Sequence, residues 1–123
     1  MIASEFLNYK NWVVIGGVTN NKKYAFRILN ALKDNGFNVA GVNPRSTGGD
    51  AYKSLEDVPF AIDVLDLCIN PILGIDIVKK ANRMGIDKIL IQPGAESDEI
   101  LNFCNNNGIN SVEGCALMEI SRG

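Results

Sequence analysis

Apolar residues recur along this chain in two alternating rhythms. Short runs rich in Val, Ile and Leu occupy Trp12 to Ile15, the stretch after Gly36, Ile62 to Ile69, and the stretches after Gly85 and Gly108. Such runs are expected of strands covered on both faces. Between them the apolar spacing turns helical: Ala25, Ile28, Leu29 and Leu32, then Ile77, Val78 and Ala81, then Ile100, Leu101 and Cys104. Each helical stretch ends in a similar phrase, Asn35-Gly36-Phe37-Asn38, Met84-Gly85-Ile86-Asp87 or Asn107-Gly108-Ile109-Asn110. A residue without Cβ can take the left-handed conformation that ends a helix, so three helices are expected to stop the same way.

The order is strand, helix, strand, a loop with a short helix near Ser54 to Asp57, then strand, helix, strand, helix, strand. This alternation predicts an α/β fold, a three-layer doubly wound, mostly parallel five-stranded Rossmann-like sheet with right-handed crossovers. The run from Ile62 to Ile69 alternates only in part, and Asp66 within it is expected at an edge or a strand end. The tail from Gly114 reads as a last short helix or a strand extension. At 123 residues the chain is one domain, 1–123, long enough to bury one sizeable core.

Composition then narrows the partners. With 46% apolar and 21% charged residues the usage is that of a globular chain, not a disordered or fibrous one. A net charge of −2 offers no global attraction to a phosphate polymer, so nucleic acid is not expected as a partner. The N-terminus MIASEFLNYKNW lacks the basic and apolar regions of a secretory signal, and no apolar run is long enough to span a membrane; a cytoplasmic protein is expected. Cys68, Cys104 and Cys115 form no CxxC pair and suggest neither a disulfide framework nor a metal site. The absence of His removes many acid–base mechanisms. Exposed sheet edges would allow a homodimer.

In such a sheet ligands bind beyond the carboxyl ends of the strands. Those ends are Gly16-Gly17-Val18-Thr19, Val42-Asn43-Pro44-Arg45, Asn70-Pro71 and Gln92-Pro93-Gly94-Ala95, and they should converge on one crevice. Gly16 and Gly17 let backbone amides approach an anion, and the helix after Asn21 aims its partly positive N-terminus at the same place. The G-x-G-x-x-G fingerprint is not met, because Val18 and Asn21 occupy its second and third Gly positions. Lys22, Lys23 and Arg27 begin that helix as candidate phosphate clamps. At the end of the second strand Asn43, Pro44 and Arg45 replace the acid that holds a free adenosine ribose diol in NAD-binding domains. That exchange suits a phosphorylated ribose, and NADP and coenzyme A both carry one. With neither a second domain nor a His, the chain lacks the parts that hydride transfer to a substrate requires.

Cys115 lies just after the last predicted strand, near the crevice, where a mixed disulfide with a ligand thiol competes with a structural role; Cys68 and Cys104 fit the core pattern. Ser97 followed by Asp98 and Glu99 reads as a helix cap with acids in the first turn.

The motifs VVIGGVTNN, VNPR, YKSLEDVP and IQPGA, an Arg-initiated helix running into Gly36-Phe37, and the late Cys115 resemble the small stand-alone CoA-binding proteins. These are similar to the CoA-binding domain of succinyl-CoA synthetase alpha subunits, and the resemblance runs from about Trp12 to Ile120. It implies that the loop Gly16, Gly17, Val18, Thr19 and Asn20 lies near the CoA phosphates and Val42 to Arg45 near the adenosine. It further implies that Asn70 and Pro71 lie on the adenine or pantetheine side, with Gln92 to Ala95, including Gly94, where the thiol arm passes. Many family members have a small hydroxyl residue where this chain has Val18, which removes a phosphate hydrogen bond that Thr19 is placed to supply. The related ligases work through a phosphorylated His on another domain, and this chain has none. Non-catalytic binding of coenzyme A or an acyl-CoA is therefore the first expectation. The alternatives are an NADP-binding small reductase, a CoA-ligase-like subunit needing a partner chain, and an interaction module that binds no ligand.

Overall fold

The computed structural model describes residues 1–45 and 49–122. Five strands, β1 (Asn11–Gly16), β2 (Asn38–Val42), β3 (Val64–Cys68), β4 (Lys88–Ile91) and β5 (Asn110–Glu113), form one sheet in the order β2-β1-β3-β4-β5. All neighbours are parallel, as expected of strands joined by helical crossovers. After β1 the chain moves to one side to make β2, then crosses back to make β3 on the other side of β1. The carboxyl ends of β1 and β3 therefore flank the point where strand order reverses.

Four helices cover the two faces: α1 (Tyr24–Asp34), α2 (Pro71–Arg83), α3 (Asp98–Asn106) and α4 (Ala116–Arg122). Strand periodicity divides the core between the faces. Trp12, Val14, Val64 and Leu90 point to one face and pack with Ala25, Ile28 and Leu32 of α1 and Ala116 of α4. Val13, Ile15, Leu65, Leu67, Ile89 and Ile91 point to the other and pack with Val78 and Ala81 of α2 and Ile100 and Cys104 of α3. The tail after Gly114 resolves as a helix. It covers the α1 face together with an N-terminal 3-10 helix, Ala3–Asn8, which brings fully buried Phe6 to the same cluster. A second 3-10 turn, Leu55–Asp57, occupies the loop where a short helix was expected. The glycines that end α1, α2 and α3 have φ of +85°, +80° and +69°, as the repeated phrase predicts.

Two features depart from the sequence reading. Asp66 marks neither an edge nor a strand end: it sits in the middle of the central strand, beside Val14 and Leu90, with no exposed surface. The pattern rule treats Asp as charged, whereas burial here favours the neutral acid. In addition, β5 is half-exposed along its length and so is not covered on both faces.

Gly16, at φ +145°, places its α-carbon where an added Cβ would lie 2.2 Å from the Cys68 carbonyl oxygen. We expect Gly16→Ala to cost at least ~3 kcal/mol, because backbone strain and a backbone clash act together. Gly36→Ala, with open space around the added Cβ, should cost only about 1 kcal/mol. Urea denaturation of both variants checks the difference, and equal losses would show that the close approach of β1 to β3 is not the constraint.

Candidate functional site

All four strand-end segments meet in one crevice of about 540 Å³, within the size range of small-molecule sites. Of the residues expected there, Gly17, Thr19, Asn20, Lys23, Asn43, Arg45, Asn70, Gln92 and Gly94 line it. The turn after β1 is compact: the Val18 N–H donates to the Gly16 carbonyl at 2.8 Å, and the Lys23 N–H to the Asn20 carbonyl at 2.9 Å. Asn20 Oδ1 also accepts from the Lys22 N–H at 3.0 Å, so Asn20 shapes the approach to α1. Lys23 lays its stem over Gly17, where an added Cβ would lie 3.1 Å from Lys23 Cγ. Any side chain at 17 would displace it.

Seven expected residues do not line the crevice, Lys22 and Val42 among them. Gly16 acts behind it, through its contact with Cys68. Val18 is buried and turned away onto Gly41, which has no side chain to meet it; an added Cβ there would lie 2.6 Å from Val18 Cγ2. The position that lacks a hydroxyl therefore does not face the crevice with its side chain. Arg27 extends over the Tyr24 ring at 5.2 Å instead of reaching inward. Pro44 and Pro71 hold turns, Pro71 as the first residue of α2.

The starts of α1, α2 and α3 distinguish one anion-ready end. Asn70 Oδ1 accepts from the Leu73 N–H and caps α2, and Ser97 Oγ accepts from the Ile100 N–H and caps α3, each at 3.1 Å. Among the described residues no side chain caps α1, whose first residues Tyr24 and Ala25 line the crevice. Its free amides and partial positive charge open into that space.

The lining is also one-signed. Lys23 and Arg45 contribute positive charge, and among the described residues no Asp or Glu lines the crevice. The rim does carry one acid, Glu96, whose carboxylate accepts from the Gly94 N–H at 2.7 Å. Asn43 Oδ1 accepts from the Arg45 N–H at 3.0 Å, which sets the direction in which Arg45 leaves β2. Gln92 is structural as well as lining: its N–H donates to the Leu67 carbonyl and its side-chain Nε2–H to the Gly114 carbonyl, both at 3.0 Å.

Sequence reasoning missed Tyr24, Ala25, Cys68 and Ile69 as lining residues. Cys68, read as a core residue, instead ends β3 at the crevice floor, half-buried. Its position as the last residue of a buried run was the available signal. Burial, above all, pushes its thiol up to about 12.

Residues 10–121 match a family described as a CoA binding domain. The chain belongs to that CoA-binding domain family. Solved structures agree on the fold. A conserved hypothetical protein from Pyrococcus furiosus is 33% identical, with 89% of this chain and 97% of that one covered and a TM-score of 0.79. A hypothetical protein from Pyrococcus horikoshii OT3 is 25% identical over 95% of this chain and 85% of that one, with a TM-score of 0.85. A dinucleotide-forming acetyl-coenzyme A synthetase from Ca. Korarchaeum cryptofilum is 20% identical at a TM-score of 0.66; it covers 87% of this CoA-binding domain and 26% of its own chain. Among the described residues no helix is long and apolar enough to cross a membrane.

Behind the crevice Asp66 remains without a hydrogen-bond partner among the described residues, its acidity suppressed by burial. Its carboxyl is raised well above the usual range in the folded protein, whereas the unfolded value is about 3.9. The folded state therefore holds the proton longer, and stability is lost as pH rises from about 4 through the raised value. Asp66→Val should remove that slope and stabilise the protein at neutral pH by ~1–3 kcal/mol. Urea midpoints across pH 4–8 test this, and parallel curves for the two proteins would contradict it.

Proposed function

We propose that this CoA-binding domain binds coenzyme A or an acyl-CoA in the crevice and does so without catalysis. What supports the reading is the sign of the site: a chain of net charge −2 lines its crevice with Lys23 and Arg45 and with no acid among the described residues. A ligand with three phosphates suits that lining, and membership of the family supports the same choice. The residues fit the group in their donor chemistry: the uncapped start of α1 and Lys23 would hold the diphosphate, with Thr19 adding a hydroxyl. Arg45 would hold the phosphate on the adenosine ribose. Asn70 and Gln92 have their side chains engaged in capping α2 and in joining β4 to Gly114, so they shape the wall more than they bind.

The non-catalytic part of the proposal rests on what lines the site. Among the described residues the lining contains neither His nor carboxylate, and Cys68 is held as the thiol, so no side chain of that lining is poised as a general base. The expected partner is a small nucleotide rather than a nucleic acid.

Calorimetric titration with CoA, dephospho-CoA, NAD and NADP tests the reading. CoA should bind most tightly. Arg45→Ala should weaken CoA by about 10-fold to 100-fold and leave dephospho-CoA nearly unchanged, whereas Lys23→Ala should weaken both. Equal loss for both ligands in the Arg45 variant would remove its assigned role, and preference for NADP would favour the reductase alternative.

A further inference from the structure

Among the described residues that line the crevice, Tyr24 is the one aromatic side chain. Phe26, Tyr52 and Phe60 instead line a neighbouring cavity of about 410 Å³ between α1 and β2, and Trp12 packs edge-on against Phe37. Tyr24 is the first residue of α1, directly after Lys23 and at the helix start that no side chain caps. Helical side chains lean toward the N-terminus of their helix, which carries the Tyr24 ring toward the crevice mouth. The residue stays 61% exposed there, so most of its apolar surface is left uncovered by the protein.

Arg27 accounts for the posture of the ring. Three residues further along α1, its guanidinium carbon lies over the Tyr24 ring at 5.2 Å from the centroid. A cation near the start of a helix is opposed by the helix dipole, so the ring supplies the attraction that the helix does not. With Arg27 on one face, Tyr24 is held in place and keeps its remaining surface for a second planar group. A nucleobase is such a group, because every base has a π-face that stacks on an aromatic ring. The groups assigned to the diphosphate, Lys23 and the free amides at the start of α1, adjoin Tyr24 in the chain. A base joined to that diphosphate through its ribose is therefore within reach of the ring.

We infer that Tyr24, braced by Arg27, is the platform on which the adenine base stacks, and that this pair selects a nucleotide over a phosphate ligand without a base. The inference rests on the reading of CoA in the crevice and names the residue that takes its base.

The test is NMR of the isotope-labelled full-length protein with unlabelled CoA, recording filtered NOEs from the adenine ring protons, together with calorimetry of variants. Tyr24 ring signals are identified by their loss in Tyr24→Leu. They should shift upfield on addition of CoA and give cross-peaks to the adenine. Tyr24→Leu should weaken CoA by about 5-fold to 150-fold, and Tyr24→Phe should stay within about 2-fold of the unaltered protein. Arg27→Met, which keeps the stem but removes the charge, should weaken CoA by about 2-fold to 5-fold. Because Tyr24 is exposed, Tyr24→Leu should keep its urea midpoint, which separates lost stacking from lost folding. If CoA binds with adenine cross-peaks to Phe26, Tyr52 or Phe60, or with none to Tyr24, the platform is overturned and the nucleotide reading stands. Unchanged CoA affinity in Tyr24→Leu would have the same meaning. Failure of the unaltered protein to bind CoA would remove both.

Discussion

The contact between Gly16 and the carbonyl of Cys68 is the constraint on which the crevice depends. β1 lies between β2 and β3, and its last residue meets the last residue of β3 with no room for a Cβ. That approach brings the turn after β1 against the end of β3, so that Gly17, Lys23 and the start of α1 share a space with Cys68 and Asn70. A similar device operates one strand away. Gly41 is bare inside β2, and Val18 fills the place its side chain would occupy, which holds the turn down on the sheet.

Much of this architecture was legible because local chemistry and tertiary role agreed. The strand and helix rhythms, the helix-ending glycines and the convergence of four strand ends follow from periodicities and turn residues that the packed structure also requires. The failures share a different cause. Asp66 was misplaced because a pattern of charged and apolar letters cannot register that burial leaves an acid neutral. Val18 was expected near a phosphate because the resemblance put its whole loop there, yet the direction of its side chain is decided by Gly41, more than twenty residues away. An isolated glycine within the run VAGV was the available sign of a close approach. Arg27 was assigned inward by position alone, and only the Tyr24 ring reveals where it goes.

Charge and structure divide the labour at the site. Side chains that sequence reasoning treated as alike serve different ends: Lys23 and Arg45 supply charge, while Asn43, Asn70 and Gln92 spend their polar groups on the backbone around them. The result is a positively lined cleft with a fixed frame, set into a chain whose overall charge is negative. Pre-set geometry of this kind favours a ligand by reducing what must be ordered when it binds.

The most direct test of the central claim, that an anionic nucleotide occupies this crevice, is backbone-amide NMR mapping during titration with CoA. The account predicts shifts concentrated at Gly17 to Ala25, at Asn43 and Arg45, and at the end of β4. Shifts confined to the amino ends of the strands or to the exposed β5 edge, or none at all, would contradict it.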